Sequence, residues 1–201
     1  MKVKGQVIVN VLGLYLDKIE RAFSLDSEDL VKINHERAAA CIKRGAYDSA
    51  IPLCQKALKA DEDDIEALYQ LGVAYMGSRQ VEEAISTFKR VLKLDSDRTG
   101  AHFRLGVLYD KTGAGSSAIS AFKKAIRLEP GRADFYYTLG VVQDKNGDHK
   151  QAIESLNKAI ELAPNEDKYH YRIGLIYDGQ GQHGKAVEAF KKAAEAEEAG
   201  S

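Results

Sequence analysis

Two cysteines and five histidines are the side chains in this sequence best suited to holding a metal or attacking an electrophile. Their spacing suits neither task. Cys41 and Cys54 stand too far apart for a short Cys-x-x-Cys zinc knuckle, and they read as free thiols that fill a core and lack a basic activator. His102 and His170, and likewise His149 and His183, recur at the same place in a 34-residue period, which separates them along the chain instead of gathering them at one ion. Gly77-Ser78 and the run Gly113-Ala114-Gly115-Ser116-Ser117 follow no strand pattern, so they are turns and not phosphate loops. The expectation is a protein with no cofactor, no metal and no catalytic residue. What does repeat is a carboxylate: Asp110, Asp144 and Asp178.

That period is the main organising signal. LGVAY at Leu71, LGVLY at Leu105, LGVVQ at Leu139 and IGLIY at Ile173 lie 34 residues apart. They set a frame of five units, 31–64, 65–98, 99–132, 133–166 and 167–201, after a leading segment 1–30. The eighth position of each unit holds Ala38, Gly72, Gly106, Gly140 and Gly174, and the twentieth holds Ala50, Ala84, Ala118, Ala152 and Ala186. Small residues in both positions let two helices approach closely, while Cys54, Phe88, Phe122, Leu156 and Phe190 in the twenty-fourth fill the space beyond. The length and these positions resemble the tetratricopeptide repeat. The resemblance implies an all-α fold, a right-handed solenoid of five helix-turn-helix repeats, and a non-catalytic role in protein binding.

Punctuation agrees with that fold. Gly45, Gly113, Gly147 and Gly181 fall where a first helix should end in a left-handed residue, with Arg79 replacing glycine in the second unit. Asp64, Asp97, Gly131 and Asn165 are the expected helix caps, and Pro130 and Pro164 stop second helices. Asn34, Arg37 and Cys41 occupy positions that are apolar elsewhere, so the first unit should be looser. The last helix, 185–198, is rich in Ala, Lys and Glu, a composition suited to facing water. The leading segment places Ile8, Val11, Leu12, Tyr15, Ile19, Ala22 and Phe23 on one helical face, with Lys18 and Arg21 nearby. It reads as an amphipathic half repeat.

Lys plus Arg number 29 against 30 for Asp plus Glu, which leaves no basic surplus for a nucleic-acid backbone. The apolar run 7–16 is too short to span a bilayer and precedes no cleavage site, so any membrane association is expected to be peripheral, and two cysteines without a secretory context point to a reducing compartment.

In the family, first helices line the inner wall of the solenoid. The resemblance therefore places Tyr69, Val73, Phe103, Arg104, Val107, Asp110, Tyr137, Val141, Asp144, Lys168, Tyr171, Arg172 and Asp178 on a protein-binding groove. His35 shares the aromatic position. Two readings stay open for the rings, an apolar floor for a ligand or packing against the neighbouring repeat. Two stay open for the carboxylates, attraction of a basic amphipathic helix or a surface screened by Lys111 and Lys145. Lys168 and Arg172 match one third of the family's carboxylate clamp, whereas Phe103, Val107 and Thr138 depart from the rest.

The leading Arg21-Ala22-Phe23-Ser24, the opening Gly45-Ala46-Tyr47 and the closing Phe190-Lys191-Lys192-Ala193 resemble the tetratricopeptide proteins of bacterial magnetosomes. This narrower resemblance implies a cytoplasmic protein that self-assembles, and the apolar stripe and bases of the leading segment suggest that it does so through Ile8, Leu12, Tyr15, Lys18, Ile19, Arg21 and Phe23. It would coat the cytoplasmic side of the magnetosome membrane and serve as a platform for magnetosome membrane proteins in biomineralization. The alternative is a monomeric cytosolic adaptor that takes a peptide or helix of another protein in the same groove.

Overall fold

A computed structural model of the chain describes residues 27–200. Among the described residues there are ten α-helices and no strand. They are α1 (Ser27–Lys43), α2 (Tyr47–Ala60), α3 (Ile65–Gly77), α4 (Val81–Leu94), α5 (Thr99–Lys111), α6 (Gly115–Leu128), α7 (Ala133–Lys145), α8 (His149–Leu162), α9 (Asp167–Gly179) and α10 (His183–Gly200). Odd-numbered helices are the first of each pair and even-numbered ones the second. Contacts divide the chain into two compact units, one ending at Thr87 and one beginning at Phe88, so the division falls within α4. The self-assembly residues expected between Ile8 and Phe23 lie outside the described residues.

Each pair is joined by the same turn. At the end of α5, Gly113 N–H donates to Asp110 and Ala114 N–H to Tyr109, two nested bonds that satisfy the last carbonyls and require a left-handed residue at the bend. Gly45, Gly113, Gly147 and Gly181 supply it with φ between 72° and 86°. Arg79 adopts the same conformation at φ 63°. A side chain there strains the backbone by about 1–2 kcal/mol, offset in part by the entropy a glycine loses on folding. Arg79→Gly should therefore stabilise the protein by about 1 kcal/mol. A rise in the urea midpoint at unchanged slope checks this, and a fall would show that the arginine side chain matters more than its backbone.

The inter-repeat turns differ from expectation. Asp64 does cap α3, its carboxylate accepting from Ala67 N–H at 3.0 Å. The later first helices begin one residue further on than expected, at caps Arg98, Arg132 and Glu166, none with a side-chain capping bond. The cap falls at the last position of each unit throughout: Asp64 occupies it, whereas Asp97, Gly131 and Asn165 stand one position earlier. The bend before α5, where Asp95 accepts from Asp97 N–H through its side chain and from Arg98 N–H through its carbonyl, matches the bend before α3, where Asp61 accepts from Asp63 and Asp64 N–H in the same way. At Arg132 the guanidinium instead bonds both oxygens of Asp134, at 2.9 and 2.7 Å, which holds that carboxyl below its ordinary range.

Within the first unit, Ala38, Cys41, Ala50, Leu53, Cys54, Leu71 and Ala74 form one core. Buried Asn34 Oδ1 and Arg37 Nη1 have no hydrogen-bond partner among the described residues. Gln70 Oε1 and Arg172 Nε are left in the same way in later repeats, so these atoms do not set the first repeat apart. In the second unit one core joins Ala118 and Phe122 of α6 to Leu139 and Val142 of α7. The next joins Ala152 and Leu156 of α8 to Ile173 and Ile176 of α9 and Ala189 of α10. Each first helix thus closes the pair before it. The last helix is not the uniformly water-suited surface that its composition suggests: it buries Ala193 and Ala196 yet leaves Val187 67 % exposed.

Candidate protein-binding wall

Helices α5, α7 and α9 carry most of the expected wall residues at matching positions. Phe103 is half-buried. It meets Phe122 of its own pair edge-on at 5.3 Å and stacks on Phe135 of the next first helix at 4.6 Å. Tyr137 repeats the second contact, lying 5.3 Å from Tyr169 of α9. These rings serve as inter-repeat packing, with one edge left to solvent. Val107 packs against the α6–α7 core, Val141 is half-buried on α7, and Arg104 is half-buried on α5. Tyr69 and Val73 are half-buried on α3, which belongs to the first unit. In that unit His35 turns to Asp64 at 2.8 Å, within a cleft also lined by Glu28, Val31 and Lys32.

Tyr171 is the exception. Its ring is 53 % exposed and touches Phe190 of its own pair at 5.4 Å.

The carboxylate row is largely neutralised in place. Lys145, from the next repeat, donates to Asp110 at 2.8 Å. Asp144 receives Arg172 of the next repeat at 3.0 Å and His149 of its own second helix at 2.9 Å. Asp178 meets His183 in the same way at 2.9 Å, and among the described residues no base of another repeat reaches it. A carboxylate at a first helix's C-terminus opposes the macrodipole. The structure gives two of the three a compensating role: they tie the first helix to the imidazole that begins the second. The row is therefore not a bare acidic stripe.

Lys168 and Arg172 are likewise engaged. Lys168 pairs with Glu166, which holds its amine above the usual lysine range, and lies 5.2 Å from the Tyr169 ring. Arg172 is bound to Asp144. Neither stands ready as a clamp for a terminal carboxylate.

The remaining reactive types are accounted for by packing. His102 is buried, and its Nε2 lies 2.9 Å from the Ser96 carbonyl, to which it donates. Burial and the nearby Lys192 push the His170 imidazole below the ordinary histidine value. Burial pushes the Cys54 thiol up to about 12, so it remains protonated and a poor nucleophile. Cys41 does have a basic neighbour, contrary to expectation: Arg44 Nη2 lies 3.9 Å from its sulfur, but the thiol is buried.

Sequence reasoning missed three kinds of partner, each with a signal in the 34-residue frame. Aromatic residues in the third position, Phe135 and Tyr169, receive the rings of the fifth. Histidines in the seventeenth position, His149 and His183, face the carboxylates five residues earlier. Gln143, buried where the second, third and fifth units carry tyrosine, accepts from Ser155 Oγ at 2.6 Å and donates to Gln151.

Comparison with known proteins agrees with this architecture. Tetratricopeptide repeat profiles match residues 42–102, 99–132, 133–166 and 167–199. Among curated protein sequences, none matches the chain. Among solved structures, a crystal structure of MamA is 37% identical with a TM-score of 0.75, covering 80% of this chain and 94% of that one. MamA from Desulfovibrio magneticus RS-1 is 29% identical with a TM-score of 0.79, covering 85% and 97%. YrrB, described as a tetratricopeptide protein with an unusual peptide-binding site, shares the fold at 19% identity and a TM-score of 0.74, covering 90% and 91%. Among the described residues no helix is long and apolar enough to cross a membrane. With repeat profiles spanning residues 42–199 and a 37% identical relative covered almost throughout, the chain belongs to the tetratricopeptide repeat proteins, is similar to MamA, and is a scaffold for protein interaction.

Proposed function

We propose that this protein self-assembles and coats the cytoplasmic side of the magnetosome membrane, where its first-helix wall holds other magnetosome proteins. The observation that carries the reading is the 37% identity to MamA across 80% of the chain. Support also comes from the leading segment, whose apolar stripe from Ile8 to Phe23 needs a surface to cover it. The wall along α5, α7 and α9 offers ring edges and aliphatic residues between carboxylates that are already paired. Such a surface favours an amphipathic helix over a strongly charged peptide. A head-to-tail contact of this kind, being heterologous, propagates into open assemblies.

Removing residues 1–26 should convert large assemblies into monomers by light scattering while circular dichroism stays helical. Assemblies of unchanged size would overturn the self-assembly reading. A full-length protein with one size at every concentration would point instead to an adaptor that holds a peptide of another protein.

A further inference from the structure

We propose that the free face of the fifth repeat, formed by Tyr171, Leu175, Asp178 and Val187, seats residues 15–22 of a second copy. The proposal rests on the self-assembly reading above and names the surface that takes the leading segment.

Among the described residues, nothing covers this face as α9 covers the same face one repeat earlier. One repeat earlier, the equivalent residues are Tyr137, Val141, Asp144 and Ile153. All four are half-buried or paired under α9: Tyr137 and Ile153 pack on the α8–α9 core, and Asp144 binds Arg172. In the fifth repeat Tyr171 is 53 %, Leu175 40 % and Val187 67 % exposed. Asp178 is 56 % exposed and meets His183 of its own pair. Same backbone frame, same residue types, and no covering helix among the described residues: whatever docks here should look like α9.

What α9 presents to the fourth repeat is a short pattern. Tyr169 meets the Tyr137 ring, Arg172 binds Asp144, and Ile173 and Ile176 enter the core with Ala152 and Leu156. The spacing is i, i+3, i+4, i+7, one face of a helix. In the leading segment Tyr15, Lys18, Ile19 and Ala22 reproduce it, aromatic for aromatic and base for base. The α7 equivalents, Phe135, Thr138, Leu139 and Val142, lack the base, so the leading segment matches the pattern of α9 better than α7 does. Lys18 would meet Asp178 as Arg172 meets Asp144. The contact joins different surfaces of the two copies, so it is heterologous and can propagate.

Full-length variants test this by sedimentation velocity over a concentration series. Val187→Lys, at a position already exposed, should weaken self-association about tenfold or more while the thermal midpoint holds. Asp178→Lys and Lys18→Asp should each weaken it about tenfold, and combining the two should restore most of the loss. If these variants assemble like the parent chain while removal of residues 1–26 gives monomers, the seat lies elsewhere and the self-assembly reading stands. If that removal also changes nothing, or the parent chain is monomeric throughout, both fall. If Val187→Lys gives monomers but Lys18→Asp and Tyr15→Asp do not, something other than the leading segment covers the face, and the proposal is overturned.

Discussion

Tyr169→Ala should release the fifth repeat while leaving the third and fourth folded. Tyr169 is almost fully buried, stacks near Tyr137 and lies under the Lys168 amine, so truncation removes an aromatic anchor at the contact between α9 and the preceding pair. Aromatic truncations in a core cost about 3–5 kcal/mol. In a linear stack an interior repeat has two interfaces, whereas among the described residues the fifth repeat has one, so the loss concentrates locally. Native-state hydrogen exchange should show amides of α9 and α10 losing about two to three orders of magnitude of protection, with α5 to α8 much less affected. A uniform loss across residues 99–200 would mean that the second unit unfolds as one cooperative block, and the nearest-neighbour account would fail.

How much of this was legible beforehand depends on which residues carry each feature. The helical pairs and the left-handed bends could be read because a period of 34 residues repeats the same small residues and glycines at fixed positions. Arg79 could be singled out but not interpreted, since only its φ shows that the turn keeps its shape without glycine. The wall was harder. Phe103 and Tyr137 sit where the family presents a groove, yet their burial depends on Phe135 and Tyr169 in the following repeat, a contact made through stacking geometry and not through local pattern. The carboxylates show the same limit. Asp110 is bound from the next repeat and Asp144 from both the next repeat and its own, because lysine, arginine and histidine stand at different positions in successive units. A regular row in sequence therefore becomes three unlike environments. Asp178 and Tyr171 stand out through the absence of a covering pair among the described residues.

Gly106→Val is expected to destabilise the second unit by about 2 kcal/mol, through one contact that cannot relax. A Cβ built on Gly106 would lie 2.7 Å from Cε1 of the Phe122 ring, inside any real carbon contact. Phe122 is fully buried and already meets Phe103 edge-on at 5.3 Å, so the ring has little room to swing aside. Valine gains slightly over glycine in helix propensity, by a few tenths of a kcal/mol, too little to offset overpacking of about 1–3 kcal/mol. Gly179, also helical, supplies the contrast: nothing lies within 4 Å of its Cβ position, so Gly179→Ala should be neutral or stabilising by about 0.5–1 kcal/mol. Urea unfolding of the two variants separates close packing from backbone propensity. If the cost of Gly106→Val comes from the Phe122 ring, adding Phe122→Leu should recover part of it, and the double variant should be more stable than the sum of the single changes predicts. Strict additivity would place the cost elsewhere in α5 and remove the small residue's role in setting the distance between the two helices.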